Sequence, residues 1–241
     1  MRVSVIIPVK NMVRTIERAI NSVKNQTVPV HQIIIADDGS IDGTFAKCLS
    51  LGQAVHHNPK GDWGICGGRN KALEYASGDV ILPLDADDWI EPTYLEKTLP
   101  LLTDNVGIVS THMRYFGDRE GTIVYTSKRT YEEQLKYNNI TVTSLILRAA
   151  LDKAGPYDNN LEGWEDWDMW LRILKLGYQH DFANEVLFHY HLSDQGMNAW
   201  ANRNRAHLIK YLTAKHPGFM EIRKTGAWDA DGAFRNKWNE I

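Results

Sequence analysis

The sequence predicts an α/β protein: a three-layer sandwich around a mainly parallel sheet, followed by a smaller region and a C-terminal helical extension. Two observations carry this. Apolar runs of strand length alternate with helical-period segments over the first hundred residues, the order of a parallel sheet covered on both faces. Two acidic clusters, Asp37-Asp38 and Asp85-Ala86-Asp87-Asp88, each directly follow an apolar run. In such sheets, ligands bind outside the C-terminal strand ends.

Val3 to Val9 is a β-branched run suited to a strand buried on both faces. Ile16, Ala19, Ile20 and Val23 recur at helical spacing, which predicts an amphipathic helix over Val13 to Asn25. Gln32 to Ala36 reads as a second strand, and Asp42 as the N-cap of a helix reaching Leu51. Ala54 to His57 reads as a short third strand. Residues 61–68 contain four glycines and read as a loop, with a helix from Arg69 to Ala76. Val80 to Leu84 is the fourth strand. Beyond Val106 the rhythm changes: Ile108 to Tyr115 and Thr122 to Tyr125 form a hairpin through Gly117-Asp118. A helix over Glu165 to Leu176, a strand over Val186 to His191 and a helix over Ala199 to Lys215 complete the reading. Trp170, Leu171 and Leu174 are assigned to the core.

Composition narrows the function classes. The chain has 241 residues, of which 43% are hydrophobic and 24% charged, the balance of an ordinary globular protein. Its net charge of −3 gives the whole molecule no general attraction for nucleic acid or acidic membrane. The charge is uneven, however: residues 198–241 carry eight Lys/Arg against four Asp/Glu, a local +4. Two cysteines, Cys48 and Cys66, make no disulfide framework and lack metal-ligand spacing. The N-terminal apolar run is too short for a signal-peptide core, and no stretch approaches the ~20 apolar residues of a membrane span. The expectation is a soluble, cytoplasmic protein.

Each acidic cluster has a structural and a chemical reading. Three carboxylates within Asp85 to Asp88 repel one another, a cost relieved by Mg²⁺ or Mn²⁺, which prefer oxygen ligands. Capping of a helix near Pro92 by Asp87 or Asp88 stands beside that reading. Asp37-Asp38-Gly39-Ser40, taken alone, reads first as an Asx turn. In Trp164-Glu165-Asp166-Trp167-Asp168, negative charge suits a helix start, and Asp168 is assigned to that role. For Glu165 and Asp166, aromatic flanks favour a carboxyl with a raised pKa, suited to a general base.

Taken in order, VSVIIPVKN, IIIADDGSIDGT, GGRNKALEYASGDVILPLDADD and GWEDWDMWLRI resemble the family 2 glycosyltransferases with the GT-A fold. The resemblance covers residues 1–192, and its specificity lies in the ordered set. It implies a nucleotide-sugar-binding half over 1–105, an acceptor-binding and catalytic half over 106–197, and a C-terminal helix and tail over 198–241. It further implies a donor site of Pro8, Val9, Asp37, Asp38, Arg69, Asn70, Asp85 and Asp87, with Asp38 at the base edge. Asp85 and Asp87 match the DXD motif, with Asp87 holding Mn²⁺ or Mg²⁺. Asp166 is the implied catalytic base and Glu165 its partner, while Trp164 and Glu165 face the acceptor. A strand-end histidine reaching the metal would be His191, with His189 as the alternative. Lys10 stands where many relatives carry Tyr, and the GDWGICGG loop is unusually rich in glycine.

The implied activity is inverting transfer from a nucleoside-diphosphate sugar, UDP-linked on the Asp38 pairing, to a hydroxyl on a saccharide or glycan precursor. One base without a protein nucleophile means a single displacement. Trp63 and Trp164 are candidate sugar platforms. A dinucleotide-dependent dehydrogenase is excluded because PVKNM has no glycine fingerprint. A non-catalytic nucleotide-sugar-binding module is disfavoured by Glu165-Asp166. A second acceptor reading comes from basic residues interleaved with Trp200, Tyr211, Phe219, Trp228, Phe234 and Trp238 in the C-terminal segment. That pattern suits a polyanion, including a hydroxylated base drawn from duplex DNA. The plainer alternative is a helix and tail that cover the domain.

Overall fold

A computed structural model describes residues 1–125 and 127–219. The strands are β1 (Val3–Val9), β2 (Gln32–Asp37), β3 (Val55–His57), β4 (Val80–Pro83), β5 (Trp89–Ile90), β6 (Val106–Gly117), β7 (Gly121–Ile123), β8 (Leu145–Leu147) and β9 (Gln179–Leu192). The helices are α1 (Ile16–Lys24), α2 (Thr44–Ser50), α3 (Gly64–Tyr75), α4 (Tyr94–Thr98), α5 (Tyr131–Gln134), α6 (Arg148–Ala154), α7 (Glu165–Lys175), α8 (Met197–Arg203) and α9 (Arg205–Lys215).

One sheet runs β3-β2-β1-β4-β8-β6-β9-β5, with β7 paired to β6. Its first four strands are all parallel, as the alternating pattern requires. Beyond them the sheet is mixed, because β8 pairs antiparallel with both β4 and β6 while β6 and β9 are parallel. All seven residues of β1 are buried. Val3, Val5, Ile7 and Val9 pack with Ile16, Ala19, Ile20 and Val23 of α1 on one face. Ile6 joins Ile34, Ala72, Trp170 and Ile173 on the other. This alternation follows from the two-residue period of a strand and makes three layers. A satellite cluster of Trp167, Leu171, Ala201, Leu208, Leu212 and Phe219 docks α8 and α9 onto α7. Trp170, Leu171 and Leu174 are buried as expected.

The glycine-rich segment departs from expectation. Residues 64–68 are helical, so α3 starts five residues before Arg69. Two of its glycines serve close packing rather than a loop. A Cβ on Gly68 would lie 3.2 Å from Pro8 Cβ, and one on Gly67 would lie 3.1 Å from Trp63 Cβ. Helix α3 therefore crosses β1 so closely that a methyl group on Gly68 would require Pro8 to give by a few tenths of an ångström. Gly68→Ala is expected to cost about 1–3 kcal/mol by overpacking. Urea denaturation should show a lower midpoint at an unchanged slope; an unchanged midpoint would refute the close approach. Asp42 is likewise displaced from the cap position, held by Gly43, but its carboxylate still accepts from Thr44 N at 3.0 Å.

Candidate active site

The site gathers at the C-terminal ends of β1, β2 and β4, joined there by the N-terminus of α7 and the end of β9. At the end of β2, Asp37 is fully buried; it accepts from Ser40 Oγ and, at 2.6 Å, from His57 Nδ1. Asp38 is committed to the protein. Its oxygens accept from Asn58 Nδ2 at 3.0 Å, Trp63 N at 2.9 Å, Gly64 N at 3.2 Å and Lys10 Nζ at 3.4 Å. Four donors fill the carboxylate, so the expected contact with a base edge finds no free lone pair. Asp38 instead fixes the 58–64 turn and caps the start of α3.

Arg69 also differs from expectation. Its side chain is buried, and its guanidinium bridges Asp85 Oδ1, at 2.7 Å, and Glu165 Oε1. The Tyr157 ring lies under it at 5.4 Å. Arg69 thus joins the strand-end cluster to the start of α7, and its buried side chain presents no face to a donor. Asn70 is similarly engaged, donating to Tyr157 O at 2.8 Å and accepting from Tyr157 N at 2.8 Å. Pro8 packs beneath α3, and Val9 lies in the core.

The acidic strand end is not a helix cap. Asp87 Oδ2 lies 3.1 Å from His191 Nδ1, and Asp88 Oδ1 accepts from His191 N at 2.7 Å. Two side chains from this cluster therefore hold the end of β9. Asp88 is fully buried and its Oδ2 has no partner among the described residues. Burial, then the charges of Asp87 and Asp85, raise its pKa well above the carboxylate range. Burial and Asp85 likewise raise that of Asp87. His189 is elsewhere: it stacks on Trp89 at 3.5 Å and meets Glu91 Oε1 at 2.8 Å. Of the two histidines, His191 is the one beside the acidic cluster.

The model of the family described as Glycosyl transferase family 2 matches residues 4–155, more than half of the chain. The chain belongs to glycosyltransferase family 2. The transferase is 32% identical over 178 residues to the Escherichia coli UDP-Glc:alpha-D-GlcNAc-diphosphoundecaprenol beta-1,3-glucosyltransferase WfgD, covering 72% of this chain and 70% of that one. It is 30% identical over 210 residues to the putative teichuronic acid biosynthesis glycosyltransferase TuaG of Bacillus subtilis, covering 82% of each. Residues 1–349 of S. aureus TarS superpose with a TM-score of 0.73 at 17% identity, covering 89% of this chain and 65% of that one. The mannosyltransferase PcManGT of Pyrobaculum calidifontis, solved with GDP-Man and Mn²⁺, superposes at 0.71 and 20% identity, covering 92% and 67%. These superpositions identify the GT-A fold. The transferase spans 65% of that TarS fragment, and among its described residues no helix is long and apolar enough to cross a membrane.

In the transferase, Asp166 opens α7 beside Glu165. Its Oδ2 accepts from Asn138 Nδ2 at 2.9 Å and its Oδ1 from Trp167 N at 2.8 Å. Burial, then the Glu165 charge, pushes it up to about 7. Asn138 escaped the sequence reading because it lies in a stretch without periodicity. Arg18 escaped as well, a lone basic residue on α1. Its NH2 donates to Asp87 O at 2.6 Å, and its guanidinium sits 4.7 Å above the Phe116 ring. Trp164 adopts a left-handed backbone (φ 59°) and packs edge-on to Trp167, while Trp63 packs against the core. Among the described residues, no three His, Cys, Asp or Glu form a ready metal cage.

Proposed function

We propose that this family 2 member is a metal-dependent inverting transferase that moves a sugar from a UDP-sugar to a hydroxyl on a saccharide precursor. Residues 1–105 would carry the donor and 106–197 the acceptor side. The observation that carries this reading is the bridge Asp85–Arg69–Glu165, which ties the acidic strand end to the helix bearing Asp166.

The residues present fit a divalent cation. Among the described residues, Asp85 and Glu165 share Arg69, Arg18 donates to the Asp87 carbonyl, His191 meets Asp87, and Asp88 Oδ2 is buried without a partner. Asp87 and His191 would hold the ion, with Asp85 beside them. One or two carboxylates plus substrate phosphates is a usual arrangement for Mg²⁺. When bound, the ion supplies charge neutralisation at the leaving diphosphate. Arg18, exposed at the strand end, offers the second positive charge there, a role the buried Arg69 cannot take. Asp166 removes the acceptor hydroxyl proton as the oxygen attacks the anomeric carbon, and Asn138 holds that carboxylate in position.

The donor reading rests on sequence relatives rather than on fold. TarS has been solved with UDP-GlcNAc and PcManGT with GDP-Man, so the shared fold accepts either nucleotide. WfgD and WfaP, 32% and 29% identical to this chain, are both named for UDP-Glc and a lipid-diphosphate-linked GlcNAc acceptor. The DNA acceptor is not retained. Trp200, Tyr211, Lys215 and Phe219 pack on or bond to the domain instead of forming a free grip. The basic and aromatic residues from Arg223 to Trp238 lie outside the described residues.

Calorimetric titration of UDP, TDP and GDP with and without Mn²⁺ tests the reading. UDP should bind tightest, and only with the ion. Asp87→Asn should abolish that dependence together with activity, and the product should carry the anomeric configuration opposite to the donor. Full turnover in excess EDTA refutes the metal, and preference for GDP refutes the donor.

A further inference from the structure

The segment joining β9 to α8 builds a cleft that neither the donor site nor the catalytic helix uses. After β9, a turn closes through Gly196 N to Ser193 O at 3.0 Å, and α8 then lies against residues 162–164. Gly163, at φ 103°, permits this contact: a Cβ there would meet Ala201 Cβ at 3.1 Å and the Trp200 ring at 3.7 Å. One edge of Trp200 is thereby fixed, and the residue stays half-buried. It forms the wall of a cleft of about 250 Å³ with Glu162, Gln195, Gly196, Met197 and Arg203. Met197 is 46% exposed.

Three features decide what such a cleft takes. Small-molecule sites run from about 300 to 1,000 Å³ for drug-sized ligands, so this one suits a sugar ring rather than a whole nucleotide sugar. The exposed side chains of Glu162, Gln195 and Arg203 have no hydrogen-bond or ion-pair partner among the described residues. One acid and one base cancel, which leaves no selective pull on a polyanion. An aromatic wall for a sugar's C–H face, with uncommitted polar groups for its hydroxyls, is the chemistry of a saccharide subsite. Glu162 also lies four residues before Asp166, on the chain that leads into α7.

We propose that the cleft between the 162–164 turn and α8 seats the acceptor's terminal sugar on Trp200, with Glu162, Gln195 and Arg203 bonding its hydroxyls. This rests on the glycosyl-transfer reading and assigns the acceptor platform to Trp200, which lines the cleft, where Trp164 does not. The test uses the full chain saturated with UDP and Mn²⁺, titrated with short-chain lipid diphosphates carrying glucose, galactose, mannose or their N-acetylamino forms. At least one should bind. Trp200→Ala should weaken it by about tenfold or more, and Trp200→Phe should retain most of the affinity. Arg203→Ala and Glu162→Gln, on exposed side chains, should each weaken it several-fold, so the test survives if Trp200→Ala is poorly folded. UDP affinity should stay unchanged in every folded variant. Wild-type affinity in Arg203→Ala and Glu162→Gln, or a wild-type chain that binds UDP but no member of the panel, overturns the subsite. A wild-type chain that binds no nucleotide overturns the transferase reading instead.

Discussion

Asp166→Asn is expected to lower transfer by about 10²–10⁴-fold, the range for loss of a positioned general base, with UDP affinity unchanged. The substitution keeps the side chain's size and can still accept from Asn138, so the loss reports the proton acceptor and not the fold. In the unaltered enzyme the ionised carboxylate is the active form. With Asp166 pushed up to about 7 by burial and by Glu165, kcat/KM should rise with pH to a midpoint near that value and level off above it. Stability runs the opposite way. The folded chain keeps a proton that the unfolded chain releases between the ordinary value of 3.8 and about 7, so this site's contribution falls as pH rises across that window. Asp166→Asn should remove that slope and melt no lower than the unaltered protein at pH 8. A variant that still transfers at saturating donor while losing UDP binding would show that another group is the base.

Arg69→Met should be the most destabilising single change at the site. The guanidinium is buried between Asp85 and Glu165, and removing it leaves both carboxylates facing one another without a counter-charge. Breaking a buried ion pair by deleting one partner costs about 3–5 kcal/mol. For a chain of this size that is a fall of roughly 6–20 °C in melting temperature. Arg69→Lys should fall between the two, because an ammonium keeps the charge but cannot span both partners as a planar fork does. Activity should fall further than stability explains, since the bridge sets α7 relative to the strand end. Melting within about 2 °C of the unaltered protein would show the bridge to be dispensable, well below the shift expected of a buried pair.

Both effects depend on contacts of very different legibility in the sequence. The parallel strands β1, β2 and β4 were readable because each is a short apolar run with its helix beside it. The acidic strand end and the Glu165-Asp166 pair were readable because charge adjoins an apolar run or lies between tryptophans. Arg69 was legible as a residue but not in its role, because its partner Glu165 lies 96 positions away and no local pattern encodes that pairing. Asp88 was legible only as one of three carboxylates; its bond to His191 N spans 103 positions. Strand β8 went unread because three residues give no period. The glycines of α3 misled because local propensity favours a loop, whereas the need for α3 to lie against Pro8 favours glycine there. Asp168, which its sequence position assigns to helix-end charge, is fully buried and accepts from Arg172 Nε at 2.9 Å and His216 Nε2 at 2.8 Å.

The short strand β8 has a mechanical meaning. By pairing with β4 on one side and β6 on the other, it makes the two halves of the sheet one uninterrupted ladder of backbone hydrogen bonds. A hinge between those halves would have to tear that ladder, so they cannot part as two jaws. Access and product release must therefore come from the loops that crown the sheet, over a floor that stays still.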